Sequence, residues 1–423
     1  MDLKIIPAKK DLFKLLINRR IGVILFLGFS SGMPLALTSG TLQAWMAVEK
    51  IDLSTIGIFS LVGLPYTLKF LWSPLMDRYV PPFLGRRRGW MVATQVGLMI
   101  GIAGMANISP TEATWLMAMV ALLVVFASAS QDIVFDAYRT DILKPQERGL
   151  GAAVSVGGYR VAMLVSGAMA LVLGDHIGWQ RTYMLMAGLM AIGMIASLLG
   201  PEPDEHIQPP KTLTQAVWGP LKEFFGRHGA LTLLGLIVLY KLGDAFAGTL
   251  TTAFLIRGPG FSPTDVGIVN KGMGLAATLI GAFFGGLLLA NLGLYKSLML
   301  FGILQAFTNF GFMALASVGK SYSIMVAVIG MENLAGGMGT AAFVALLMGL
   351  CDHRYSATQY ALLSALAVMG RVYVGPSAGF LVEAIDWAPF FFVTFLAALP
   401  GLGLLWWASP VVKAVEDRRE QRN

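Results

Sequence analysis

Apolar runs of about 20 residues recur along the chain, each long enough to cross a ~30 Å hydrocarbon core as a helix. The pattern predicts twelve of them, at 21–46, 54–78, 89–108, 112–141, 148–174, 179–200, 229–256, 263–290, 294–317, 321–351, 355–384 and 388–408. Ahead of the first, Leu12, Phe13, Leu15 and Leu16 alternate with Lys10, Lys14, Arg19 and Arg20, a basic arm suited to the membrane surface. Between the sixth and seventh runs the Pro-rich, charged segment PEPDEHIQPPK separates two six-span halves. Beyond it Leu213, Val217, Leu221 and Phe224 repeat at helical spacing beside Gln215, Lys222 and Glu223, which fits an interfacial helix or a plain linker helix equally. The expected organisation is therefore an N-terminal six-helix bundle with its basic arm (1–200), a linker (201–228) and a C-terminal six-helix bundle with a charged tail (229–423).

Composition sharpens this. Of 423 residues, 56% are hydrophobic and only 13% charged, against roughly 25% charged in soluble domains. Such a chain has too little polar surface to face water, and an all-α, multi-pass membrane protein is expected. The basic N-terminus runs into the first span without an A-x-A-like site, so no cleavable signal is expected. The single cysteine, Cys351, excludes a disulfide framework. His176, His206, His228 and His353 all fall in or beside predicted loops, which leaves no intramembrane histidine for a metal. Lys and Arg crowd the N-terminal arm, the even-to-odd loops, the linker and the tail, whereas the opposite loops hold only Lys50, Arg181, Arg257 and Lys320. Both termini are then cytoplasmic.

The halves read as copies of each other. Thr55–Ile56–Gly57 matches Asp265–Val266–Gly267 at an offset of 210, and GAAVSVGGYR ending at Arg160 aligns with LLSALAVMGR ending at Arg371 at 211. The segments ending at Trp179 and Trp387 agree at 208. One period found in independent places argues for duplication of a six-helix unit. Two pseudo-symmetric six-helix bundles joined by a cytoplasmic linker are the major facilitator architecture, in which substrate binds between the halves near the midplane. The segment WSPLMDRYVPPFLGRRRG after the second span resembles that superfamily's loop motif, although Ser73 replaces its first glycine and residues are inserted before Gly85. The resemblance gives Asp77, Arg78, Arg86, Arg87 and Arg139 to a cytoplasmic gate; positive-inside anchoring alone also accounts for Arg86 to Arg88.

Candidate chemistry lies in the polar residues inside the spans. Each charge there would cost roughly 2.5 kcal/mol or more facing lipid alone, so these residues are expected to converge inside the bundle. In the fourth run a greasy stretch passes directly into QDIVFDAYRTDIL, with Asp132 and Asp136 one turn apart on one face. Asp132, Asp136, Asp244 and Glu332 are candidate proton carriers. Lys241 and Asp244, three apart, form either a structural ion pair or a working site. Pairing of the carboxylates with Arg160 or Arg371 is a structural alternative. Lys69, Arg160, Lys241, Lys271 and Arg371, with the amides Gln43, Gln131, Asn270 and Asn333, suit an anionic ligand rich in hydroxyls and amides; the amides serve equally as hydrogen bonds between helices. Glycine pairs at i,i+4 (Gly28/Gly32, Gly97/Gly101, Gly281/Gly285, Gly375/Gly379) read as close helix packing. No GxxxxGK[ST] occurs, which disfavours ATP-driven transport and leaves an ion gradient. No Ser-His-Asp or metal constellation argues for an enzyme.

Seven segments together, among them GFSSGMPLALTSGTLQAWM, SASQDIVFDAYRTDIL, YKLGDAFAGTLTTAFLIRG and ATQYALLSALAVMGRVYVGPSAG, resemble the AmpG muropeptide permease family over nearly the whole chain. The resemblance implies a monomeric inner-membrane symporter without cofactor, driven by the proton gradient. It would bring N-acetylglucosaminyl-1,6-anhydro-N-acetylmuramyl peptides from periplasm to cytoplasm and so support β-lactamase induction; its partners are substrate, protons and lipid, and no nucleic acid. It places functional weight on Ser128 to Asp132 and on Lys241 to Phe246. Another anionic cargo, such as an acyl-CoA or a drug, and a transporter-like sensor are the alternatives.

Overall fold

The computed structural model describes residues 18–73, 76, 79–143, 148–201, 229–350 and 356–420. Among them, eleven helices are long and apolar enough to cross a membrane, and a twelfth, shorter one falls at the second predicted run. We number them α1 (Arg19–Val48), α2 (Leu53–Leu68), α3 (Gly85–Ala106), α4 (Thr114–Ile142), α5 (Val154–Ile177), α6 (Trp179–Leu199), α7 (Ala230–Arg257), α8 (Pro263–Leu292), α9 (Leu294–Val318), α10 (Tyr322–Gly349), α11 (Leu363–Ile385) and α12 (Trp387–Trp407). A further helix, α13 (Ser409–Glu420), follows. The predicted basic arm lies outside the described residues up to Ile17, as does the linker helix built on Leu213 to Phe224.

Two spans depart from plain helices. α2 was expected as one helix over 54–78, but it is α-helical over Leu53–Ile58, 3₁₀ over Phe59–Gly63, α-helical over Leu64–Leu68 and 3₁₀ again over Lys69–Leu71. The cause is local: Gly57 and Gly63 weaken the helix, and Pro65 has no N–H to return to the preceding turn. α1 breaks at Ser39, whose φ −119° and ψ −101° are not helical. Pro34 removes one amide, and the Thr38 and Ser39 hydroxyls donate to the Pro34 and Leu35 carbonyls at 2.9 and 2.5 Å, standing in for backbone donors. α5 widens into a π turn at Leu164–Met169, where Thr41 Oγ1 donates to the Ser166 carbonyl at 2.6 Å and draws it from the regular ladder.

The chain divides into two compact units, one of Met1–Leu42 with Leu68–Pro209, the other of Gln43–Thr67 with Pro210–Asn423. The end of α1 and nearly all of α2 thus pack with the later helices. The first unit buries a core of Ile24, Leu27, Met91, Val134, Phe135 and Tyr138. The second buries Leu236, Ile237, Phe301, Leu346, Leu363 and Leu405 around the stacked rings of Tyr240 and Phe343.

Three of the four glycine pairs bring helix backbones into contact, as small residues allow, whereas Gly97 and Gly101 of α3 face the side chains of Ala127 and Val124. A Cβ on Gly28 would lie 2.5 Å from the Ser155 carbonyl, bringing α1 against α5, and one on Gly281 would lie 2.1 Å from the Leu334 carbonyl, bringing α8 against α10. In the second unit a Cβ on Gly57 would lie 2.4 Å from the Gly375 carbonyl, and one on Gly379 2.4 Å from that of Leu53, so α2 and α11 meet backbone to backbone. Ser60 Oγ donates to the Val372 carbonyl at 2.9 Å along the same seam.

Candidate functional site

Each unit has its own polar interior. In the first, α1 presents Ser30 and Ser31 to Gln131 and Asp132 of α4. Gln131 Nε2 donates to Ser30 Oγ at 3.1 Å, and Ser31 Oγ donates to Asp132 Oδ1 at 2.5 Å. Two adjacent rungs of this kind fix the register of the helix pair. Lys69, in the 3₁₀ turn Lys69–Leu71 that follows α2, and Tyr159 of α5 lie within electrostatic reach of Asp132. Trp72 Nε1 donates to Ser130 Oγ at 3.0 Å, so the whole Ser-Ala-Ser-Gln-Asp segment is held from several sides. Gln131 is 1% exposed, which makes it a strut between α1 and α4.

Asp136 sits a turn further on, 56% exposed and paired with Arg139 at 3.1 Å. Arg139 also reaches Ser155 Oγ of α5 at 3.0 Å. Of the arginines expected at a gate, Arg87 places its Nε 2.9 Å from Asp141 Oδ2 with both side chains about nine-tenths buried, and its neighbour Arg88 reaches the Ser197 carbonyl of α6 with its Nε at 2.9 Å. They bolt α3 to α4 and α6. Arg86, beside them at the start of α3, is half-buried. Asp77 and Arg78, the remaining gate candidates, lie outside the described residues. Arg160 is half-buried, its Nη1 lying 3.7 Å from Met163 Sδ.

The second unit gathers a denser cluster. α7 loses its regular ladder at Lys241, between Ala230–Tyr240 and Leu242–Arg257, and restarts with Asp244 in its first turn. Lys241 Nζ lies 3.5 Å from Asp244 Oδ2, the side chains 14% and 22% exposed, and 5.8 Å above the Phe343 ring. Glu332 of α10 accepts from Thr308 Oγ1 of α9 and is within hydrogen-bonding reach of the Asp244 carboxyl. Two carboxyls and one ammonium therefore meet where α7, α9 and α10 come together. Behind Asp244 lies a small polar cavity lined by Tyr240, Gln305 and Asn309. Asn309 Oδ1 accepts from Thr394 Oγ1 at 2.8 Å, while Gln305 Nε2 is buried without a hydrogen-bond partner.

Of the other candidates, Gln43 Nε2 donates to the Thr249 carbonyl at 2.6 Å and ties the end of α1 to α7. Asn333 donates to the Ile329 carbonyl at 2.9 Å and accepts from Thr278 at 3.0 Å, joining α10 to α8. Asn270 and Lys271 lie half-buried in the π stretch Val266–Met273. Arg371 falls within α11, and its side chain lies outside the described residues. The structure so brings together Lys241, Asp244 and Glu332, and separately Lys69 and Asp132. Among the described residues Glu332 accepts from Thr308 and has Asp244 and Lys241 as its charged neighbours. Sequence reasoning passed over Gln305 and Thr308. Gln305 stands one turn before Asn309, another intramembrane amide, on the same face of α9, and that spacing was the available signal. No group of three or more His, Cys, Asp or Glu among the described residues is placed to hold a metal ion.

The sequence model of the Major Facilitator Superfamily matches residues 24–269. The chain is 59% identical over 388 residues to the anhydromuropeptide permease of Escherichia coli K12, covering 91% of this chain and 79% of that protein. It is 34% identical over 403 residues to a protein of Rickettsia felis described as putative transporter AmpG 4, covering 93% and 97%. Among solved structures, a POT family transporter in complex with 5-aminolevulinic acid superposes with a TM-score of 0.72 at 12% identity, over 93% of this chain and 96% of that one. A bacterial homologue of the human lysosomal transporter Spinster does so with 0.69 at 14% identity, over 97% and 99%.

Proposed function

Because this chain belongs to the Major Facilitator Superfamily, and within it to the family of AmpG permeases, we propose that it imports anhydromuropeptides, coupled to proton entry. The single observation that carries the substrate is the 59% identity over 91% of the chain to a protein named for that cargo. The chain is a multi-pass membrane transporter and not an enzyme. In our reading it lies in the inner membrane as a monomer with both termini cytoplasmic, its bundles being 1–200 and 229–423, and needs no cofactor beyond the proton gradient. Import would also supply the cytoplasmic signal for β-lactamase induction.

The chemistry suits that cargo. A muropeptide brings sugar hydroxyls, peptide amides and several carboxylates. Intramembrane lysines and amides recognise such groups, and a carboxyl that exchanges a proton there alters the net charge a ligand meets. In this reading the proton is carried at membrane depth by Asp132 in the first unit, tied to Ser31 and near Lys69, and by the Lys241, Asp244 and Glu332 cluster in the second.

Uptake of labelled anhydromuropeptide into proteoliposomes under an imposed pH gradient tests the proposal. Accumulation above equilibrium, abolished when a protonophore collapses the gradient and inhibited by unlabelled anhydromuropeptide, is expected. Accumulation indifferent to the gradient removes the coupling; competition by acyl-CoA or drugs, with none by muropeptide, reassigns the cargo.

A further inference from the structure

Two carboxylates do not hydrogen-bond to one another, because each is an acceptor only; a contact between carboxyl oxygens needs a proton on one of them. Asp244 and Glu332 lie within such reach of each other. Lys241 stands on the Asp244 side at 3.5 Å, and Thr308 donates to Glu332 on the other. With one proton between the two carboxyls, the three ionisable groups sum to zero: one ammonium, one carboxylate, one acid. Removing that proton leaves a net negative charge at membrane depth, and adding a second leaves a net positive one, both unfavourable where water does not screen. Among the described residues, Lys241 and Tyr240 are the other titratable groups that act on this pair.

A second observation points to the same place. Gln305 is 6% exposed, its Nε2 has no partner, and it lines the polar cavity of about 10 Å³ that Asp244 also lines. That volume suits about one water, and an orphan amide donor beside a carboxyl is the polar lining a buried water requires.

We propose that Asp244 and Glu332 form a single proton-binding site, holding one proton between them against Lys241, and that a water seated on Gln305 gives the proton its way in and out. The site deepens the transport reading, since it assigns the second unit one coupling proton and not two independent carriers; the site itself is a property of the resting protein. Gln305 is a positioning residue here, acting through the water.

Infrared difference spectroscopy of the purified, full-length protein tests this without transport. The un-ionised carboxylic acid C=O band lost in Glu332→Gln is expected to be the same band lost in Asp244→Asn, because either change leaves the surviving carboxylate with Lys241. Loss of two distinct bands, or a band surviving in either variant that the other abolishes, overturns the shared site; so does the absence of any such band in the parent. Gln305→Leu should keep the band but slow its shift on mixing with D₂O, and unchanged exchange removes the water. Both amide replacements are near-isosteric, and retained elution as a single species by size exclusion shows that each variant is folded. Failure of the uptake assay with the shared band present rejects the cargo and leaves the site standing; the reverse outcome rejects the site alone.

Discussion

A lysine at the point where α7 breaks is the residue on which the second polar interior turns. Lys241 is the only cation among the described residues paired with Asp244, and removing one partner of a buried pair leaves an uncompensated charge, at a cost of about 3 kcal/mol. Lys241→Met should therefore lower the thermal midpoint in detergent markedly. Lys241→Met combined with Asp244→Asn should recover much of that loss, a coupling the double-mutant cycle reads directly. Arg87 makes the same argument in the first unit: Arg87→Met strands Asp141 and should destabilise, whereas Asp136→Asn, which opens only an exposed pair, should cost less than about 1 kcal/mol and leave the midpoint nearly unchanged. These residues were legible in the sequence to different degrees. Lys241, Asp244, Glu332 and Asp132 announced themselves as charges in oil. Their partners did not, because Ser31, Thr308 and Gln305 are ordinary in membrane helices and gain meaning only from a neighbour more than twenty positions away. Gln43 and Asn333, read as ligand contacts or as bonds between helices, each hydrogen-bond a neighbouring helix, Gln43 through its Nε2 and Asn333 through its Oδ1.

Helices set those partners in place. All twelve predicted spans were legible from length and hydropathy, and among the described residues eleven of them are helices long and apolar enough to cross a membrane, since a long apolar run has few other fates. The irregularities inside α1, α2 and α5 were not, because hydropathy averages over the one or two residues that divert a backbone bond. The glycine seams make the sharpest prediction at this scale. In α8, Gly281 abuts the Leu334 carbonyl of α10, while a Cβ on Gly286 meets nothing within 4 Å. Gly281→Ala should force the helices apart and cost about 1–3 kcal/mol. Gly286→Ala should be neutral or gain up to about 1 kcal/mol from helix propensity. Thermal unfolding of the two variants side by side checks this, and equal shifts would mean that α8 and α10 are not in backbone contact.

At the scale of the whole molecule, the duplication seen in the sequence predicted where one six-helix copy ends and the next begins. Packing draws a different line, with Gln43–Thr67 held by the later helices through Ser60 and Val372, Gly57 and Gly375, and Arg257 and the Ile51 carbonyl. Periodicity records ancestry, and it carries no information on which copy a given helix leans against. If transport requires that seam to open, joining it stops transport. With Cys351 replaced by serine, Ser60→Cys and Val372→Cys should form a disulfide that arrests uptake in proteoliposomes, and reductant should restore it. Full uptake by the oxidised, cross-linked protein would show that α2 and α11 stay together throughout the cycle.

The broken ladder at Ser39 lies just ahead of the passage from Leu42 to Gln43, and the 3₁₀ turn of Lys69–Leu71 just after that from Thr67 to Leu68. The chain thus changes allegiance beside two places where its spine is already slack. Bending at such joints would sacrifice almost no amide-to-carbonyl pairing, because the regular ladder is already interrupted there.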